Sequence, residues 1–205
     1  MNNIRKDKTL YNDKERMFIN NNQYLNLDMN QNVMINIGSE KETIGIVSHI
    51  VDDSRGSGLQ EYVITDNYVP IDASYEERAG VKDVTILYRG STSIADIGKV
   101  YGNRWEATEK DADTFVDGMI DWTINNAQIL YKSVIPRLVT KDKTYPWLQN
   151  KEIGTRQMQA TTKELNKVEQ AYPNAKIWIY GHSQSNSNMQ KAVVNMLNPE
   201  RLAGA

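Results

Sequence analysis

Cysteine is absent from this 205-residue chain. Disulfides, thiolate nucleophiles and Cys-based zinc centres are therefore excluded. Histidine occurs twice, as His49 and His182, so a mechanism that needs an imidazole base must use one of these or take one from outside the chain. No apolar run approaches the roughly 20 residues of a membrane-spanning helix. The polar, charged start, residues 1–16, lacks the pattern of a Sec-type signal peptide. A cytoplasmic location, or export by a route without a cleaved N-terminal signal, is expected. There is no excess of positive charge either: 24 Lys+Arg against 26 Asp+Glu leave a formal charge of -2. A nucleic-acid surface would be basic and clustered, so no nucleic-acid partner is expected, and neither is a metal or other cofactor.

What remains is enough chain for one domain with a real core. Residues 1–32 are Asn-rich and weakly patterned, and read as a loosely packed polar arm with a short helix around 13–19. Residues 33–205 read as the folded core. Two β-rich runs, 43–51 and 59–65, flank the turn-forming Asp52-Asp53-Ser54-Arg55-Gly56-Ser57-Gly58 and predict a hairpin. His49 alternates within the first run and reads as a strand histidine, not a base. Residues 67–80, with Pro70, read as a loop. Val84-Thr85-Ile86-Leu87-Tyr88 is the short apolar run of a buried parallel strand. It leads into Arg89-Gly90-Ser91-Thr92-Ser93-Ile94.

The spacing of Phe115, Met119 and Leu130 predicts a helix over 107–137. Glu109, Asp111, Asp113 and Asp117 near its start suit the helix dipole and read as a solvated face. A polar connection, 141–151, leads to a second helix over 155–172 with Met158, Leu165, Val168 and Tyr172 as its apolar stripe. Pro173-Asn174 ends it. The strand Lys176-Ile177-Trp178-Ile179-Tyr180 completes a β-α-β unit.

That strand runs into Gly181-His182-Ser183-Gln184-Ser185, and then into a helix through Met189, Ala192, Val193 and Met196. Strand, Gly-x-Ser-x-small and helix is the context of a nucleophile elbow. The sharp turn lifts the Ser183 oxygen off the end of the sheet. The amide after it lies near a helix N-terminus, where it can face a developing oxyanion.

Two segments, Tyr88-Arg89-Gly90-Ser91-Thr92-Ser93-Ile94 and Tyr172-Pro173 running into Gly181-His182-Ser183-Gln184, together resemble the class 3 (fungal-type) lipases of the α/β-hydrolase superfamily and their bacterial lipase-like relatives. The resemblance spans roughly residues 43–197. It implies a three-layer α/β-hydrolase-like sheet behind an N-terminal hairpin, and acyl transfer from a lipid or other carboxylic ester to Ser183 and then to water. It further implies oxyanion contacts from the backbone N–H groups of Gln184 and Ser91, with Arg89, Gly90, Gly181 and His182 as motif residues. His182 would pack and not act as the base.

The departures from that pattern matter as much. Ser185 stands where the family has glycine, which predicts a crowded, strained elbow. In the family the triad runs Ser, then Asp or Glu, then His, but downstream of Ser183 the only acid is Glu200, and no histidine follows. The chain is therefore expected to be the N-terminal portion of a longer hydrolase, with a natural truncation or a non-catalytic binding module as the alternatives. Alone it should turn over little ester. Strands expected beyond the elbow strand are missing, which leaves a sheet edge for a C-terminal segment or a protein partner to cover.

Overall fold

The computed structural model describes residues 7–54, 56–90 and 155–205. The helix expected over 107–137, its acidic face, the connection at 141–151 and Ser91 lie outside the described residues.

The fold is α/β. Six strands, β1 (Asn32–Ile37), β2 (Glu40–Asp53), β3 (Leu59–Thr65), β4 (Asp83–Tyr88), β5 (Lys176–Gly181) and β6 (Leu202–Gly204), form one mixed sheet in sequence order. Neighbours among the first four pair antiparallel, whereas β4, β5 and β6 run parallel. The expected hairpin is β2–β3. It closes at the pair Asp53↔Leu59, where the Asp53 carboxylate accepts from Ser57 N at 2.8 Å and its carbonyl accepts from Gly58 N at 2.9 Å. Gly58 takes φ 85° in this turn, a conformation that costs glycine little.

Alternation along the strands sends side chains to opposite faces. Val84, Ile86, Tyr88, Ile177 and Ile179 meet Leu165 and Val168 of α3 (Arg156–Ala171) and Ala192 of α4 (Gln184–Val194) on one face. Val33, Ile35, Ile44, Val47, Ile64 and Leu87 meet Ile19 of α1 (Asp13–Asn21) on the other. A short helix, α2 (Tyr75–Gly80), occupies part of the span read as a loop. Its Ser74/Glu77 capping box satisfies the first amides. No described helix is long and apolar enough to cross a membrane.

Two expectations are corrected. From residue 7 onward the N-terminal arm is not loose. Asn12 and Glu15 form a capping box that starts α1, and Tyr11, Ile19 and Leu27 are buried in the core. Composition pointed to disorder because asparagine dominates, but one apolar residue per turn suffices where a sheet face needs cover. The edge beyond β5 is also not bare. Glu169 accepts from the amides of Leu197 and Asn198 at 2.9 and 2.8 Å. Arg201 donates to the carbonyls of Ala175, Glu169 and Tyr172. These bonds fold the segment after α4 back, so that β6 pairs with Ile177 and Trp178. Residues 179–181 have no partner strand on that side among the described residues.

Candidate functional site

The parallel pair β4–β5 ends in the row Tyr88↔Gly181. The Arg89-Gly90 exit and the Ser183 turn therefore leave the sheet at the same end. Ser183 lies between β5 and α4 with φ 59° and ψ -126°. Glycine adopts this region readily, whereas an L side chain there is strained by about 1–3 kcal/mol. Ser183 is exposed. Its side chain makes no capping bond to α4, although capping is the ordinary use of a serine at this position. Ser183→Gly should therefore be more stable than Ser183→Ala by about 1 kcal/mol, the strain relieved less the entropy glycine adds to the unfolded chain. Urea denaturation of the two variants checks this, and equal midpoints would mean the turn is unstrained.

Ser185 closes the turn. Its Oγ accepts from His182 N and donates to the His182 carbonyl, both at 2.7 Å, and the residue is 1% exposed. The expected close approach to a neighbouring strand falls on Gly181, the last residue of β5. A Cβ at 181 would lie 2.9 Å from Ser185 Oγ, so glycine at 181 is what makes room for serine at 185.

Gln184, the first residue of α4, puts its backbone N–H in the first turn, at the positive end of the helix dipole. Its buried side chain donates to Gln157 Oε1 at 2.8 Å, and Gln157 Nε2 donates to the Gly58 carbonyl at 2.6 Å. A buried chain of amides thus ties the start of α4 to the end of the β2–β3 hairpin.

The N-terminal segment ties the two loops together. Gln23, fully buried, accepts from Gly90 N at 3.1 Å. The Tyr24 hydroxyl sits 3.0 Å from His182 Nδ1, with the two rings edge-on at 6.2 Å. A Cβ on Gly90 would lie 2.6 Å from both the His182 carbonyl oxygen and the Tyr24 hydroxyl. Gly90 is therefore the residue that lets the exit of β4 touch the elbow. Its own N–H is committed to Gln23. Sequence reasoning missed Gln23 and Tyr24, and no local signal marks them, since their partners lie 67 and 158 residues away. Arg89 donates its backbone N–H to Gln60 O at 3.0 Å, and its side-chain Nε is buried without a partner among the described residues.

Neither histidine is hydrogen-bonded to the Ser183 hydroxyl. The ring of His182 is exposed and engaged by Tyr24. His49 pairs across the sheet with Val63, which faces Ile86, which faces Ile179. That is three strand steps from β5, about 14 Å at the usual spacing. His49 Nε2 stands 4.0 Å from Glu164 Oε2, too far for a hydrogen bond, and lacks a partner. Burial, then the nearby Lys167 charge, lowers its pKa, against the pull of Glu164 and Asp72.

One further group sits in the same row as Tyr88 and Gly181. Glu61 pairs with Tyr88 across β3–β4, is 1% exposed, and has no hydrogen bond to either carboxyl oxygen among the described residues. Burial first, then Glu164, raises its pKa from the ordinary 4.5 to about 8, with Lys167 opposing. The buried Tyr88 hydroxyl beside it is also unpartnered, and burial holds its pKa well above the usual phenol value. Among the described residues, no group of three or more His, Asp or Glu is placed to hold a metal ion.

Comparison of the chain with family models, with curated proteins and with solved structures returned no match.

Proposed function

We propose that this chain is a serine ester hydrolase of the lipase-like α/β-hydrolase type, with Ser183 as its nucleophile. The observation that carries the reading is the backbone of Ser183. A serine held at φ 59° on an exposed turn between a parallel strand and a helix, with its hydroxyl unused as a cap, is costly unless that oxygen has work to do. In the proposed reaction the Ser183 oxygen adds to the carbonyl carbon of a carboxylic ester. The alcohol leaves and an acyl-enzyme remains, which water then cleaves to the acid and free Ser183. The backbone N–H of Gln184 would face the oxyanion from the α4 N-terminus. The second donor in this reading is the N–H of Ser91.

The base that takes the Ser183 proton is not assigned to either histidine of the chain. One observation favours a second reading, a non-catalytic module that keeps the scaffold for binding. Among the described residues no side chain is hydrogen-bonded to the Ser183 hydroxyl. A single probe separates the two. A fluorophosphonate should label the complete gene product and fail to label its Ser183→Ala variant, whereas equal labelling of both, or none, favours the module.

A further inference from the structure

Beside the elbow lies a cavity of about 270 Å³, walled by α1, the β5 residues up to Gly181, Met189 of α4 and Ala205. It is at the small end of ligand pockets, large enough for a head group and a few carbons but not for a whole lipid. From α1 it receives Arg16, Asp13 and Met17.

Arg16 is the notable member. Its Nε donates to the Tyr11 carbonyl at 3.1 Å, Nη1 to the Tyr180 hydroxyl at 3.4 Å and Nη2 to the Lys8 carbonyl at 3.4 Å. The guanidinium also lies over the Trp178 ring, 5.4 Å from its centroid. All of these partners are neutral, and Arg16 forms no ion pair among the described residues. A guanidinium carries five N–H donors, so two remain. Here four contacts fix its plane. A fixed, unneutralised guanidinium beside apolar Met17, Ile179 and Met189 is suited to an anion that carries a short hydrocarbon segment. Asp13 lines the same cavity and is not paired with Arg16, so its carboxylate works against a bound anion.

We propose that this cavity binds an anionic amphiphile, a carboxylate or phosphate head joined to a few carbons, as the part of the substrate next to the ester. The substrate assignment rests on the hydrolase reading, but the binding itself does not.

The test is calorimetric titration of the folded protein with hexyl phosphate, hexanoate, inorganic phosphate and hexanol, none of which is an ester of a carboxylic acid. At least one of the two amphiphilic anions should bind saturably and more tightly than either inorganic phosphate or hexanol, and which of the two binds better tells phosphate from carboxylate. Arg16→Gln should weaken that binding about tenfold or more, the loss of a charge-assisted bond. Asp13→Asn should tighten it about two- to fivefold. Circular dichroism establishes that each variant folds. If Arg16→Gln does not fold, Asp13→Asn decides alone. Absence of binding by both anions, hexanol or inorganic phosphate binding as tightly as they do, or an affinity that Asp13→Asn leaves unchanged or weakens, would overturn the proposal. Because the readout is binding, these results are independent of whether Ser183 reacts with a fluorophosphonate.

Discussion

Glu61→Gln is expected to stabilise the protein, by an amount that grows as the pH rises. In the folded chain the Glu61 carboxyl is buried without a partner and titrates at about 8, whereas in the unfolded chain it titrates near 4.5. Below the lower value both states hold the proton and the charge costs nothing. Between the two values the unfolded state has released its proton while the folded state keeps it, so folding stability falls with rising pH. Above the upper value the loss is complete. At about 1.4 kcal/mol per pH unit, it is on the order of 3–5 kcal/mol. Glutamine has nearly the same shape and no charge to desolvate. Denaturation of wild type and Glu61→Gln should therefore give similar stabilities near pH 4.5 and a gap of several kcal/mol near pH 9. A constant offset across the range would mean that Glu61 finds a partner or a route to water.

The second large effect is expected at Gly90. Gly90→Ala places a methyl group 2.6 Å from the His182 carbonyl oxygen and from the Tyr24 hydroxyl. One of these atoms belongs to the backbone of the elbow, so the two loops must part. Overpacking of this kind costs about 1–3 kcal/mol, and, if Ser183 is the nucleophile as proposed, a shift of the order of 1 Å there costs about a hundredfold in rate. Gly80→Ala is the matched control. Nothing lies within 4 Å of a Cβ there, and alanine favours the helix. Urea denaturation and the rate of fluorophosphonate labelling should both fall for Gly90→Ala and hold for Gly80→Ala. If the two variants behave alike, the contact between the β4 exit and the elbow does not position Ser183.

How much of this was readable beforehand depends on how local each signal is. The hairpin, β4, β5 and the helices on either side of it were legible, because each carries its own apolar period and its own breaker: Gly58 with Asp53 in the hairpin turn, Pro173 before β5. The turn at Ser183 was legible too, since strand, small residues and helix adjoin in sequence. β6 was not. Leu202-Ala203-Gly204 has no strand pattern, and it pairs only because Glu169 and Arg201 fold the chain back. β1 alternates, with Val33 and Ile35 buried and Met34 exposed, but asparagine on either side hid it. The close approach expected at Ser185 falls on Gly181 at the end of β5, and the hydrogen bonds of the Ser185 hydroxyl to the His182 backbone, three residues away, carry no sequence pattern of their own. Gln23, Tyr24 and Gln157 reach the site over long sequence separations, and no local pattern encodes such contacts.

The proposed function requires the oxygen of Ser183 to be a working nucleophile. The most direct measurement is to treat the complete gene product with a fluorophosphonate, digest it, and locate the adduct by peptide mass spectrometry. A single adduct on the peptide containing Ser183, lost in Ser183→Ala, is the predicted result. An unmodified Ser183, with the probe absent or spread over other serines and tyrosines, would contradict it.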